Sequence, residues 1–334
     1  MKNNIVILIG SLAVAFAAME VVLRIFLPTP IQWKYPQEHY IYDNEIGHWL
    51  QPNQDSYTHD KQVKTNSKGI RDHEYPDHRG PNVVRVIAIG DSQTFGKGLQ
   101  LSDTWPKLLE RRLNERGGNK KWEVINCGLS ATDTWQHEII LERMIKEYHP
   151  DIAIIAVYAN DVTKPWAPDP NSASLKTSEL RDRFVYFMKR SIVLLVARQG
   201  IQSLRQMISP TYSYLYENSI VTGDKYTNVE AGWSQVDGSL GRMKENCNKN
   251  NIDMYLLILS RRDQVSGHQK MEAFNNRIKG LAAKHSIKFM DPLNELKKGY
   301  ERFGNRLFIE WDGHNSSFSN DIISLELSRL LIGG

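Results

Sequence analysis

The sequence predicts an α/β fold: a parallel sheet of five strands with helices covering both faces. Short apolar runs rich in β-branched residues recur at 83–89, 122–126, 152–158, 252–259 and, more weakly, 287–290. Segments whose apolar residues have helical spacing lie between them. The run at 152–158 is apolar throughout, as a strand buried on both faces requires. Strands that alternate with helices form a parallel sheet, because each return crossover needs a helix's length of chain.

The helical segments follow in order. Residues 103–116 place Trp105, Leu108, Leu109 and Leu113 on one side. Helices are also expected at 134–148, 229–250, 270–284 and 317–331. The connection at about 164–229 is long for an α/β unit. Within it, 180–207 reads as one apolar helix edged by Arg181, Arg183, Lys189, Arg190, Arg198 and Arg205. The simpler expectation is a helix packed on the core with a solvated basic edge. The alternative is a lid or membrane-apposed helix over the active site. Tyr212, Tyr214 and Tyr216 alternate, which reads as a strand-like or interfacial stretch.

Three regions are expected: a membrane segment at 1–30, a polar irregular extension at 31–81 with one or two short strands, and a catalytic domain at 82–334. The segment 5–27 is apolar apart from Glu20 and Arg24, and Pro28 and Pro30 stop the helix. It is long enough to span a bilayer. Glu20 and Arg24, four residues apart, share a helix face and are placed to pair. An uncleaved single-pass anchor is one reading. A signal peptide cut at the small-x-small pattern Ala15-Phe16-Ala17 is the other. Both put the remainder on the extracytoplasmic side, in keeping with Lys2 before the run.

A net charge of +4 over 334 residues calls for no nucleic-acid partner and suits an anionic membrane equally well. Cys127 and Cys247 are read as two buried thiols, with a disulfide as the alternative outside the cytosol.

Open parallel sheets bind ligands beyond the carboxyl ends of their strands. Gly90-Asp91-Ser92 follows the first strand, Asn126-Cys127-Gly128 the second and Asn160-Asp161 the third. Asp312-Gly313-His314 precedes the last helix. A serine hydroxyl needs a base to become a nucleophile, and His314 is the candidate to take the Ser92 proton. Asp312 is the candidate to orient that imidazole and stabilise its charged form. The amides of Ser92 and Gly128 and the side chain of Asn160 are candidate donors to an oxyanion, with Asp91 and Asp161 in support. No phosphate loop is present, because Phe95 stands where Gly-x4-Gly-Lys needs its second glycine. The segment 71–78 lacks a metal-binding framework and reads as an exposed polar loop. His39, His48 and His59 read as surface residues. No metal or cofactor is expected.

Gly90-Asp91-Ser92, Gly128, Asn160-Asp161 and Asp312-x-His314 together resemble the four blocks of the SGNH (GDSL-type) hydrolases. The resemblance covers most of the chain from Val83. It implies a flavodoxin-like three-layer αβα sandwich, metal-free ester chemistry, and an oxyanion hole shared by the serine, the glycine and the asparagine. The apolar N-terminus, the segment 66–71 and the late Asp-Gly-His resemble a membrane-anchored bacterial subgroup with relatives that handle acetyl groups on envelope polysaccharides. Two departures stand out: Ala159 in place of the usual glycine, and one residue instead of two between Asp312 and His314. The function expected is therefore serine-dependent ester hydrolysis or O-acyl transfer on an envelope carbohydrate or lipid ester. The alternatives are a degenerate glycan-binding or scaffolding member without turnover and, less favoured, a flavin or nucleotide binder.

Overall fold

The computed structural model describes residues 2–116, 118–163, 166–170, 179–209, 211–224, 228–267 and 271–333. The chain opens with helix α1 (Lys2–Phe26) and two antiparallel hairpins, β1 (Tyr40–Asp43) with β2 (Gly47–Leu50) and β3 (Asp55–Thr58) with β4 (Lys61–Lys64). The central domain follows as β5 (Val83–Gly90), α2 (Ser92–Phe95), α3 (Trp105–Glu115), β6 (Lys121–Gly128), α4 (Thr134–Tyr148) and β7 (Ile152–Val157). Next come α5 (Glu179–Met188), α6 (Ile192–Ile208), α7 (Tyr212–Thr222), α8 (Glu230–Lys249) and β8 (Asp253–Ile258). The chain closes with α9 (Arg262–Ser266), α10 (Ala273–Lys284), β9 (Lys288–Met290), α11 (Leu293–Phe303) and α12 (Ser317–Ile332).

The five-stranded sheet has the order β6-β5-β7-β8-β9 and is parallel at every pairing. Alternate side chains on each strand feed opposite layers. Ile87, Ile89, Ile155 and Leu256 pack with α4, α8 and α10, whereas Val86, Ala88, Ile154 and Leu257 pack with α3, α11 and α12. The result is the three-layer sandwich, with β5 and β7 central and the order reversing between them. The residues after these two strands therefore share one crevice.

Several expectations need correction. The extension at 31–81 is no loose linker: Ile46, Leu50, Val63 and Ile70 are buried in the same core as the sheet. Its polar composition misled because many of its polar groups are satisfied inside the fold. Buried Arg71 donates to the carbonyls of Phe95, Gly96 and Leu99, and buried Asp72 accepts from the Asn126 amide. That same pair rules out an exposed loop at 71–72. The helix expected at 180–207 is two helices, α5 and α6. Ser191 breaks the run by accepting from Leu194 N, an N-cap in the middle of an apolar stretch. Tyr212, Tyr214 and Tyr216 lie on α7, so their alternation is not that of a strand. Lys270, expected to start a helix, is outside the described residues, and α10 begins at Ala273. Cys127 and Cys247 are both buried and not bonded to each other.

Candidate active site

Each group in the crevice is positioned by a specific local device. After β5, buried Asp91 caps α2 by accepting from Gln93 N at 2.9 Å, which places Ser92 at the first helical position with its side chain partly open. The Ser92 amide has no intrahelical acceptor there. Ser92 Oγ lies 2.9 Å from His314 Nε2 and 3.4 Å from Asp91 Oδ2, so the imidazole is the nearer partner.

His314 arrives on a tight loop between residues 308 and 315. Ile309 N donates to His314 O at 2.8 Å, and Gly313 N donates to Ile309 O at 2.8 Å. Asn315 N donates to the buried side chain of Gln93 at 3.1 Å. Gln93 thus ties the histidine loop to the turn that carries Ser92. Trp311 has φ 65°, a left-handed conformation costly for a bulky residue and held here by the loop's own bonds.

His314 Nδ1 donates to Asp312 Oδ1, which leaves Nε2 free to accept from Ser92. The single residue between Asp312 and His314 does not prevent that contact. On its other oxygen, Asp312 meets His59 Nε2 at 3.1 Å. Burial opposes ionisation of Asp312, but the hydrogen bond from His314 and the close approach of His59 outweigh it and hold the carboxyl well below the usual carboxylate range.

His59 is therefore no surface residue. Its side chain is 1 % exposed, at the β3–β4 turn in a left-handed conformation (φ 55°), edge-on to Trp33 at 4.4 Å. Gly98 leaves the room it needs, since a Cβ there would stand 2.5 Å from His59 Nδ1. Sequence reasoning missed both His59 and Gln93. The turn at His59-Asp60 was the only local signal, and nothing in it points to Asp312. His48 is also half-buried, within 2.8 Å of Ser130 O.

Gly128 has a different task from the one expected. Its amide donates to Asn126 Oδ1 at 3.1 Å inside the buried end of β6, so it is committed and not open to an oxyanion. Glycine is required there sterically, because a Cβ would stand 2.2 Å from Phe95 N and 2.5 Å from the Thr94 carbonyl carbon. Strain sits three residues on, at exposed Ala131 (φ 61°). That loop is braced by Thr132, which donates to Leu129 O and contacts His137. Burial lowers His137 to about 3, so it is neutral at any working pH.

Asn160 follows β7 in a short turn, is exposed, and hydrogen-bonds the Asp91 side chain. Burial raises Asp91 above its ordinary value against hydrogen bonds from Gln93, Ser92 and Asn160. Asp161 accepts from Tyr158 N at 2.8 Å, and burial, with the charges of Asp91 and Asp133 adding, raises it well above its ordinary value. A carboxyl raised in the folded state stabilises the fold below its unfolded value and loses that contribution as pH rises through the folded one. Asp161→Asn keeps the acceptor without the charge. The variant is expected to gain thermal stability over the parent as pH rises from about 4 to about 8. A melting difference that is flat or falls over that range would contradict a raised Asp161.

A serine-bearing turn, an imidazole and a carboxylate at the switch point of a parallel sheet have the arrangement that serine hydrolases use. The chain belongs to the GDSL-like lipase/acylhydrolase family, whose model matches residues 88–309 and so ends just before the Asp312–His314 loop. An arylesterase of Vibrio mimicus is 28% identical over 91 residues, 27% of this chain and 44% of that protein, so the match spans less than half of the curated relative. Among solved structures, TesA is 16% identical with a TM-score of 0.45, over 75% of this chain and 98% of its own. The acetyl xylan esterase AlAXEase is 12% identical with a TM-score of 0.45, over 75% of this chain and 100% of its own. Near the chain start, the structure has a helix long and apolar enough to cross a membrane, Asn4–Phe26.

Proposed function

We propose that the protein hydrolyses or transfers acyl esters through a covalent Ser92 intermediate, at a site held outside the cytoplasm by α1 as a single-pass anchor. The observation that carries this reading is the 2.9 Å contact of Ser92 Oγ with His314 Nε2, backed by ionised Asp312. Ser92 Oγ attacks the ester carbonyl carbon as its proton passes to His314 Nε2. The tetrahedral oxyanion is met by the Ser92 amide and the Asn160 side-chain amide. Collapse expels the alcohol, which takes the proton from His314. A water or sugar hydroxyl then attacks the acyl group and gives its proton to His314. Release of the acid or new ester returns that proton to Ser92 Oγ.

Asp312 stabilises the imidazolium formed midway, and His59 positions Asp312 by occupying its far oxygen. His59→Asn tolerates the left-handed turn but withdraws the ring. It is expected to lower kcat about tenfold or more with KM little changed, since it acts on the transition-state charge alone. A purely structural His59 would show its loss in melting temperature with kcat intact.

Hydrolysis is the favoured fate, in keeping with the arylesterase relative. An envelope carbohydrate or lipid ester is the substrate class proposed. The test is labelling of the full-length protein in detergent with a fluorophosphonate, read by peptide mass spectrometry. A single adduct on Ser92 is expected. No adduct on a folded chain would favour a non-catalytic glycan binder.

A further inference from the structure

As a membrane anchor, α1 sets the depth of the cleft beside Asp312. At roughly 1.5 Å per residue, the 23 residues of Asn4–Phe26 reach about 35 Å, slightly more than a hydrocarbon core of about 30 Å. Glu20 lies six residues, about 9 Å along the helix, before Phe26, so it sits in the last two turns of α1, a few ångströms inside the hydrocarbon boundary. There it binds the start of α6: its carboxylate accepts from Ile192 N and Val193 N at 3.1 Å each and from Ser191 Oγ at 2.8 Å. Arg24 pairs with Glu20 and also donates to Arg190 O at 3.0 Å. The active-site loop is tied further out, at the headgroup end, since Trp311 Nε1 donates to Pro28 O at 3.2 Å, two residues past the end of α1.

Helix α6 therefore starts against the last two turns of α1, just beneath the headgroups. Leu195, Arg198 and Gln202, at i, i+3 and i+7, line a cavity of 260 Å³ shared with Trp33 and Asp312. Ile201, Leu204 and Ile208 fall on the opposite side by helical spacing. They are 67 %, 57 % and 76 % exposed, and on α5 Leu180, Phe184 and Phe187 are exposed as well. An apolar stripe opposite a polar one is the pattern of a helix lying in a membrane interface. The cleft carries a small cationic excess: Lys189 and Arg198 line this cavity beside the Asp312 carboxylate, and Arg262 lines the adjoining one with Glu310. Among the described residues neither arginine has an ion-pair partner.

We propose that α5 and α6 lie in the headgroup layer of the bilayer that α1 spans, so that the cleft takes an acyl ester carried by an anionic membrane amphiphile. This rests on the ester chemistry and anchoring proposed above. It narrows the substrate from any envelope ester to one presented at the membrane surface. The apolar face of α6 holds the cleft at headgroup depth, and the arginines meet the headgroup charge.

The test uses the full-length chain in nanodiscs of phosphatidylglycerol and phosphatidylcholine. Leu204→Cys and Gln199→Cys variants carry a fluorescent label, and the buried Cys127 and Cys247 stay unlabelled. The probe at Leu204 is expected to be quenched by spin-labelled lipids and shielded from aqueous iodide, and the probe at Gln199 to be quenched less by lipid. Iodide quenching at Leu204 would overturn the proposal. So would shielding from both quenchers, which marks a protein neighbour. The triple variant Ile201→Ser, Leu204→Ser, Ile208→Ser is expected to lose about tenfold in turnover of p-nitrophenyl palmitate held in the disc, with p-nitrophenyl acetate unaffected. Equal loss on both esters would mean a structural role and overturn it. The quenching needs no turnover. A wild-type chain inert toward both esters would therefore refute the ester chemistry while lipid quenching at Leu204 still upheld the docking surface.

Discussion

Ser92→Ala is expected to lower kcat for p-nitrophenyl acetate by about 10⁴-fold or more, to the residue that binding and amide donors sustain alone. The loss should be chemical and not structural. Among the described residues Ser92 Oγ hydrogen-bonds only His314 and Asp91, and the cap that builds the turn runs from the Gln93 amide to Asp91, which alanine leaves intact. Alanine also suits the first turn of a helix. The nearest other oxygen is Asp91 Oδ2, whose carboxyl is buried and held by Gln93 and Asn160, so no substitute nucleophile waits beside the gap. Melting temperature is expected to stay close to that of the parent. A variant with more than a tenth of parental kcat would remove Ser92 from the mechanism.

His314→Ala is expected to cost as much, because members of such a relay act as a unit and removing one forfeits most of the whole. Without the imidazole, Ser92 keeps its proton and the leaving alcohol has no donor. The loop should survive, since it is closed by backbone bonds among Ile309, Gly313 and His314 and by Gln93 to Asn315 N, none of which needs the ring. Asp312 keeps its contact with His59 and, on Oδ1, the hydrogen bond from the backbone amide of residue 314, so only the imidazole's bond to that part-buried oxygen is lost. A modest drop in melting temperature with near-complete loss of turnover is thus the expected pair of results. Wild-type turnover by a folded variant would end the general-base assignment.

Local pattern made much of this molecule legible. Helix α4 runs over the residues that its apolar spacing marks, and β7 is the wholly apolar strand. Gly-Asp-Ser, Asn-Asp and Asp-x-His are short motifs that point to a strand end or a loop. Their meeting in one crevice follows from strand order, which the alternation of elements implies. The extension was misread because a polar segment that satisfies its own groups inside a fold looks, in sequence, like one that satisfies them in water. Arg71 and Asp72 are the case in point.

By itself, the sequence determined the sandwich and the positions of the turn that carries Ser92 and the loop that carries His314, because each is written in periodicity or in contiguous motif. Only the tertiary structure decided that His59 stands behind Asp312, that Gly128 is a spacer for α2 and not a free donor, and that Glu20 caps α6 across 172 positions. These are contacts between distant segments whose local sequences fit a surface turn, an oxyanion glycine and a helix end equally well. What settles them is the burial of one group against another when the chain closes, and no window of neighbouring residues contains that.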